Sequence, residues 1–469
     1  MMVDGEKIAA AAQARLLERL RKSARLGPPL EEIIGGTVYR ERQRLLRHPG
    51  LSRSRKDRRF IGQLHRALAD GTRDKGALLD AIVKRYADEI RGHFDPRVYA
   101  FATGVLPLAL TALLNGTTPL AALPRLFELL RLSDRVSVSG ATESLCRLAQ
   151  RGTVILAPTH VSNLDSLLFG HALHRLGLPP FAYGAGLNLF ENPILGFFMR
   201  NLGAYSVDRT KNDPLYLALL KEYATVALEL GQHQLFFPGG TRSRSFALET
   251  RLKKGLLGTA LSAYRNNLRT KNPRPRIFIF PATCSYPLVL EAQSLIQDHL
   301  DDAGHGRYLH PLPDESDRMG RWLAFLRSLL ALDLDVHVRI GQPLEPFGEA
   351  VDAEGEPMTM AEPARADPPP GTDLPAQDIE RDAALTRRLE QGILAAYRRD
   401  NVVLPTWALA YAAFESFRLR VGIDSLYPLL RRLNPGTAID RRIVLSRLGQ
   451  LLAELTALAG RGELFLSRE

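Results

Sequence analysis

The sequence predicts an α/β fold, a mixed and largely parallel sheet flanked by helices, with helical regions towards both ends of the chain. Three observations predict it. Short apolar, β-rich runs recur through the middle, helical stretches separate them, and the flanking regions show charged or amphipathic helical spacing. The runs are Thr153-Val-Ile-Leu-Ala157, Ala204 to Val207, Gln234 to Phe237, Ile277 to Ala282 and Asp335 to Ile340. An apolar helix, Asp165 to Leu176, follows the first run after a polar turn. Upstream, residues 3–26 read as a charged helix ending near Gly27-Pro28-Pro29. Downstream, 379–466 read as several amphipathic helices with a break at Asn434-Pro435-Gly436.

These stretches divide the chain into an N-terminal helical region over 1–134, a central α/β domain over 135–345, a flexible linker over 346–378 and a C-terminal helical region over 379–469. The linker assignment rests on a segment rich in Pro, Glu, Asp and Ala, with Pro368-Pro369-Pro370-Gly371 inside it. From Val98 to Pro124 there is no charged residue. That run is long enough for a bilayer, but Gly104, Pro107, Asn115, Gly116 and Pro119 interrupt it, and its most apolar part, Val105 to Leu114, is too short to cross. It reads as an interfacial membrane segment or a buried helix pair, ahead of a true span.

At 469 residues, 45% hydrophobic and 24% charged, the composition excludes collagen-like, mucin-like and wholly disordered chains. Two cysteines, Cys146 and Cys284, exclude a disulfide scaffold and point to a reducing compartment. The beginning of the sequence lacks an apolar h-region, so no signal peptide is expected. A formal net charge of +11 favours anionic partners. The cluster Arg53, Arg55, Lys56, Arg58 and Arg59 reads first as a solvated helix end or loop, and second as a contact for lipid headgroups or an acidic carrier protein. It has no interleaved aromatics and no reader motif, which sets nucleic acid aside.

The sharpest local pattern is Thr159-His160-Val161-Ser162-Asn163-Leu164-Asp165. A histidine just past a buried strand, five residues before an aspartate, can meet that carboxylate across a tight turn. Ser162 or Asn163 is placed to cap the helix that follows. The matching chemistry is general-base activation of a hydroxyl by His160, with Asp165 fixing the tautomer and stabilising the imidazolium. Spacing alone is weak evidence. With 11 histidines in the chain, about one such match arises by chance. His65…Asp70 is a second instance, but it lies in a continuous amphipathic helix, where five residues turn about 500° and the side chains diverge.

The second pattern is Phe236-Phe237-Pro238-Gly239-Gly240-Thr241-Arg242-Ser243-Arg244-Ser245. A strand running into two glycines exposes backbone N–H groups. With Thr241, Arg242 and Arg244 it suits a phosphate, although a lone Arg-Ser-Arg is more often a solvated turn. The third is Gly203-Ala204-Tyr205-Ser206-Val207-Asp208-Arg209, a strand ending in an arginine.

Together these patterns resemble the glycerolipid acyltransferase superfamily, whose four blocks appear in the expected order. His160 and Asp165 match the first, Gly203 to Arg209 the second, Phe237 to Arg244 the third, and Ile277-Phe-Ile-Phe-Pro281 the fourth. The chain is most similar to the glycerol-3-phosphate and dihydroxyacetone-phosphate acyltransferases. Glu89-Ile-Arg-Gly-His-Phe-Asp-Pro-Arg-Val-Tyr99 resembles their helical leader, and Gly184-Ala-Gly-Leu-Asn188 and Ser285-Tyr286 also look like theirs. The resemblance makes 135–345 an acyltransferase domain.

It implies transfer of a fatty acyl group from an acyl-carrier protein or coenzyme A thioester to the 1-hydroxyl of glycerol 3-phosphate in phospholipid biosynthesis. His160 would be the general base and Asp165 its orienting partner. Arg209, Gly240, Thr241, Arg242 and Arg244 would hold the acceptor's phosphate, with Lys254 either joining them or simply solvated. No metal or redox cofactor is needed. The expected partners are the thioester, the glycerol phosphate and a membrane surface with anionic lipids, which places the protein at the cytoplasmic face as a peripheral or monotopic enzyme. One departure stands out: the family's third block usually has glutamate where this chain has Gly239, which leaves the acceptor open. Lysophosphatidate acylation, and a non-catalytic lipid- or carrier-binding role on the same fold, are the alternatives.

Overall fold

Every residue of Thr153–Pro158 is buried, and this strand lies at the centre of a seven-stranded sheet. The computed structural model describes residues 2–23, 29–47, 54–70, 74–104, 136–162, 164–187, 193–243, 247–287, 289, 335–358, 379–422, 429 and 438–467. In chain order the sheet strands are β1 (Val136–Gly140), β2 (Thr153–Pro158), β3 (Ala182–Gly186), β4 (Ala204–Val207), β5 (Gln234–Leu235), β6 (Ile277–Ser285) and β7 (Val336–Ile340). They lie side by side as β1-β7-β6-β2-β5-β3-β4. The five from β6 to β4 are mutually parallel, whereas β7 runs antiparallel to β6 and carries β1 parallel to itself. The sheet is therefore mixed and largely parallel, as the alternation of apolar runs and helices predicts.

Alternation within single strands explains the two-sided core. Val154 and Leu156 of β2, with Phe278 and Phe280 of β6, face one layer; Ile155, Ala157, Ile277 and Ile279 face the other. The helices, in chain order, are α1 (Gly5–Ser23), α2 (Leu30–Arg47), α3 (Ser54–Ala69), α4 (Lys75–Ile90), α5 (Thr142–Arg151), α6 (Asp165–Arg175), α7 (Pro193–Asn201), α8 (Pro214–Glu229), α9 (Lys254–Arg269), α10 (Ile379–Arg399), α11 (Pro405–Val421) and α12 (Arg441–Gly460). Leu145 and Leu148 of α5 and Leu168 and Phe169 of α6 fill the first layer. Leu257 and Ala260 of α9 and Leu389, Ile393 and Tyr397 of α10 fill the second. A third core joins α1–α4 to α8 and to Tyr205 of β4.

Several expectations change. The sheet gains β1, whose Val136 and Val138 alternate with serines, and β3, whose glycines mask it; a Cβ at Gly184 would come within 3.0 Å of the Tyr205 ring. The linker expected over 346–378 is packed at its start. Leu344 bridges Ile279 and Ala350, Val351 bridges Pro357, and Phe347 and Val351 are buried. Gly348 and Gly355, at φ of 87° each, turn this polar-looking stretch back on itself. The rest, 359–378 with its proline run, lies outside the described residues. Nor is all of 379–469 a separate region, because α10 completes the sheet's second layer. The leader is helical only to Ile90, then extended, with Phe94 bridging Leu202, and helical again over 96–104. Of the uncharged segment 98–124, residues 105–124 lie outside the described residues, as does the Asn434-Pro435-Gly436 break.

His233, just before β5, accepts the N–H of Val154 on Nδ1 at 3.0 Å. Burial, followed by nearby positive charge, lowers its pKa from 6.5 to about 4, and His171 is lowered to about 4 chiefly by burial. Both are neutral when folded, so the unfolded chain binds more protons below pH 6.5 and stability is lost as pH falls towards about 4. The urea midpoint should drop across that window. His233→Asn, which keeps an acceptor for Val154, should flatten the slope, and an unchanged slope would contradict the assignment.

Candidate active site

In parallel sheets, chemistry gathers where strands end at their carboxyl edge, because loops there converge from neighbouring strands. Here β2 runs into His160, β5 into Phe237 and the two glycines, β4 into Arg209, and β6 into Tyr286. Four stretches separated in sequence thus reach one edge.

His160 and Asp165 meet across the turn between β2 and α6. Nδ1 of His160 lies 2.8 Å from Asp165 Oδ2. The same oxygen accepts the N–H of Val161 at 2.7 Å and of Ser162 at 3.0 Å. Oδ1 accepts the Tyr286 hydroxyl at 2.6 Å. Asp165 is fully buried, and its two oxygens together meet four hydrogen-bond donors. Burial, reinforced by Asp165, raises the Tyr286 phenol well above its usual value, so it stays a donor. The His160 side chain is 15% exposed, and its ring stacks on Phe237 with centroids 4.1 Å apart. Nδ1 is thus committed to Asp165, and Nε2 is the nitrogen left for a substrate.

The expected side-chain cap does not form at the start of α6. Leu164 takes the N-cap position, Ser162 Oγ accepts the Leu164 N–H at 3.1 Å, and Asn163 lies outside the described residues. Asp165 itself satisfies the turn's N–H groups.

The glycine turn abuts His160, whose carbonyl accepts the Ser243 N–H at 2.7 Å. Gly240 has φ of 80° and lies under Lys253; a Cβ there would come within 2.5 Å of the Lys253 Cδ. Thr241 is exposed and Arg242 half-buried beside it, while Arg244 lies outside the described residues. Partial desolvation, then the Arg242 cation, lower the Arg209 guanidinium from its usual value, which places the two arginines near each other. Two neighbouring cations can receive a dianion, whereas the Gly240 N–H, expected to join them, already donates to the Phe237 carbonyl at 3.0 Å.

Lys254 is placed differently. Its ammonium pairs with Glu390 of α10 at 3.2 Å, tying α9 to α10, and the lysine over the turn is Lys253. Neighbouring residues at a helix start point in different directions, so sequence could not choose between them. Two further residues went unassigned in the sequence. Tyr286 follows the fourth block but carries no signal of its contact with Asp165. Glu249 accepts the His160 N–H at 3.0 Å from a loop with no motif. The decoy, His65, is exposed on α3.

Among the described residues no cluster of His, Cys, Asp and Glu could hold a metal ion. Two surface hollows, of about 420 and 670 Å³, lie on α5 and between α1 and α4, and neither includes a residue of this edge.

A domain family described as Acyltransferase matches residues 141–285. A glycerol-3-phosphate acyltransferase of Pseudomonas fluorescens (strain SBW25) is 27% identical over 317 residues, covering 67% of this chain and 34% of that protein. One of Ectopseudomonas mendocina (strain ymp) is 34% identical over 167 residues, or 35% of this chain and 19% of the relative. The chain thus spans about a third or less of the length of these curated relatives. The matched segment contains His160, Arg209, the glycine turn and β6, all the blocks that converge on the carboxyl edge. Residues 141–285 therefore form an acyltransferase domain, and the chain is similar to the glycerol-3-phosphate acyltransferases.

Proposed function

We propose that the protein transfers a fatty acyl group from an acyl-carrier protein or coenzyme A thioester to the 1-hydroxyl of glycerol 3-phosphate. The observation that carries this reading is the 2.8 Å contact between His160 and buried Asp165, beside a glycine turn that carries Arg242 and bonds the His160 carbonyl. His160 Nε2 takes the hydroxyl proton as the oxygen attacks the thioester carbonyl. Asp165 stabilises the resulting imidazolium. Collapse of the tetrahedral intermediate forms the ester and breaks the carbon–sulfur bond. The departing thiolate recovers the proton from His160. Arg209 and Arg242, with Thr241 in the turn that Gly240 allows, hold the acceptor's phosphate, and Arg244 is a further candidate. The sequence draws on no metal or redox group.

The test offers labelled acyl-CoA and acyl-carrier protein in parallel to glycerol 3-phosphate, dihydroxyacetone phosphate and lysophosphatidate, with His160→Ala as control. A His160-dependent ester of glycerol 3-phosphate is expected. Exclusive use of lysophosphatidate would reassign the acceptor. No transfer by folded protein that still binds lipid would point to a binding protein.

The proposed location is the cytoplasmic face of a membrane with anionic lipids, and α11 and α12 are the elements that support it. They form a hairpin closed at its base by two short strands, β8 (Val402–Val403) and β9 (Phe465–Leu466). Leu409, Tyr411 and Leu419 of α11 and Ile443, Leu445 and Leu452 of α12 are exposed. By length and composition α12 is apolar enough to cross a membrane, and none of its apolar window is buried in the protein. Exposed Arg420, Arg441 and Arg442 lie around the far end. At the near end Trp407 Nε1 donates to the Tyr286 carbonyl at 2.9 Å, next to the residue that holds Asp165. Leu445→Ser with Leu452→Ser should lower partition onto anionic vesicles by at least about 100-fold, since each buried leucine contributes roughly 1.5–3 kcal/mol. Unchanged vesicle sedimentation would remove the hairpin from the interface.

A further inference from the structure

We infer that Glu249 is a positioning residue of this site: its carboxylate occupies the space that a side chain at position 239 would enter, and Gly239 is small so that Glu249 can stand there. The inference deepens the proposed acyl transfer and rests on it.

The argument begins with Gly239. A Cβ built there would lie 3.0 Å from both Cγ and Oε1 of Glu249, tighter than ordinary contact. Unlike Gly240, Gly239 does not have positive φ, so backbone conformation does not require glycine. The neighbouring carboxylate favours it, since any side chain at 239 would press on Glu249. Glu249 Oε1 accepts the N–H of His160 at 3.0 Å, and the His160 carbonyl accepts the Ser243 N–H at 2.7 Å. The backbone of the proposed base is therefore clamped on one side by Glu249 and on the other by the glycine turn.

Glu249 is half-buried, and burial raises its carboxyl above the usual value despite the hydrogen bond from His160. Placing a carboxyl there works against solvation, so its contact with His160 is a specific arrangement rather than a solvated loop side chain. Where the family resemblance expects glutamate at 239, this chain has glycine and brings a carboxylate into the same space from 249. The two positions compete for one space, because a side chain at 239 would meet Glu249 unless Glu249 gave way by a few tenths of an ångström.

This competition supplies the test. Glu249→Ala should lower kcat about 100-fold with KM nearly unchanged, the scale of a small misplacement of a reacting group. Glu249→Gln keeps size and an acceptor for the His160 N–H, so it should fold like the parent and fall between parent and Glu249→Ala. Gly239→Glu alone should also lose rate, as the two carboxylates compete. The double variant Glu249→Ala/Gly239→Glu should recover at least about tenfold over Glu249→Ala, because a glutamate at 239 enters the vacated space. A parental kcat for Glu249→Ala, or a double variant no faster than Glu249→Ala, would overturn the inference.

Hydrogen exchange at the His160 amide reads the contact without turnover. It should quicken in Glu249→Ala and slow again in the double variant; unchanged exchange in both would overturn the assignment. If the parent protein transfers no acyl group to any acceptor, the proposed function fails, while the exchange result still decides the place of Glu249.

Discussion

Replacing His160 with alanine is expected to lower kcat for acyl transfer by about 10²–10⁴-fold, with little change in the acceptor's KM, as loss of a general base does. The fold should survive. Removing the imidazole leaves Asp165 with the N–H groups of Val161 and Ser162 and the Tyr286 hydroxyl, so no buried charge is orphaned. The stacking lost on Phe237 concerns a ring still partly exposed. Asp165→Asn separates orientation from charge. Three donors converge on Oδ2, so they should keep the amide oxygen towards His160 and leave the tautomer unchanged. What remains is loss of the negative charge, and kcat should fall by less than in His160→Ala. Steady-state kinetics with thermal unfolding on the same preparations check both variants. A normal rate in His160→Ala would remove the proposed base.

Arg44→Met is expected to cost about 3–5 kcal/mol of stability, the effect of removing one member of a buried ionic network. The Arg44 side chain is buried, with Nη2 at 2.7 Å from both Glu41 and Asp57 and Nη1 at 3.6 Å from Asp208. Lys211, equally buried, lies 2.5 Å from Glu89 and 4.0 Å from Glu41, and Arg85 reaches Asp57 at 2.7 Å. Burial opposes the Arg44 charge, yet its hydrogen bonds and the nearby carboxylates hold it above its usual value. Burial raises Glu41 even with Lys211 and Arg44 nearby. Methionine leaves Glu41, Asp57 and Asp208 with one cation fewer, and the packing of α2 and α3 loosens with them. The urea midpoint measures the effect; a loss below about 1 kcal/mol would mean that water already screens the network. Asp208 precedes Arg209, and the Thr210 N–H donates to Asp208 Oδ1 at 2.9 Å. The same variant should therefore raise the KM for a phosphorylated acceptor. The N-terminal helices thus brace the loop after β4.

The sequence by itself determined what local chemistry determines. A strand buried on both faces is apolar over most of its length, so β2 and β6 were legible as runs. A five-residue turn at the end of such a strand confines His160 and Asp165 to one neighbourhood, so their contact was legible too. The order of the four blocks carried the resemblance to the acyltransferases. Only the tertiary structure decided what depends on elements meeting across the sheet. Tyr286 reaches Asp165 because β6 lies beside β2, and Tyr397 of α10 donates to the Ala157 carbonyl at 3.0 Å because α10 covers the second layer. Lys253 rather than Lys254 covers the turn because α9 starts against α10. The stretch 346–358 packs because two left-handed glycines fold its polar residues back, whatever its composition suggests. Glu249 is the plainest case. In the sequence Gly239 is a missing carboxylate; in space a second loop delivers one to the same place, because proximity depends on where strands end and not on how far apart residues lie along the chain.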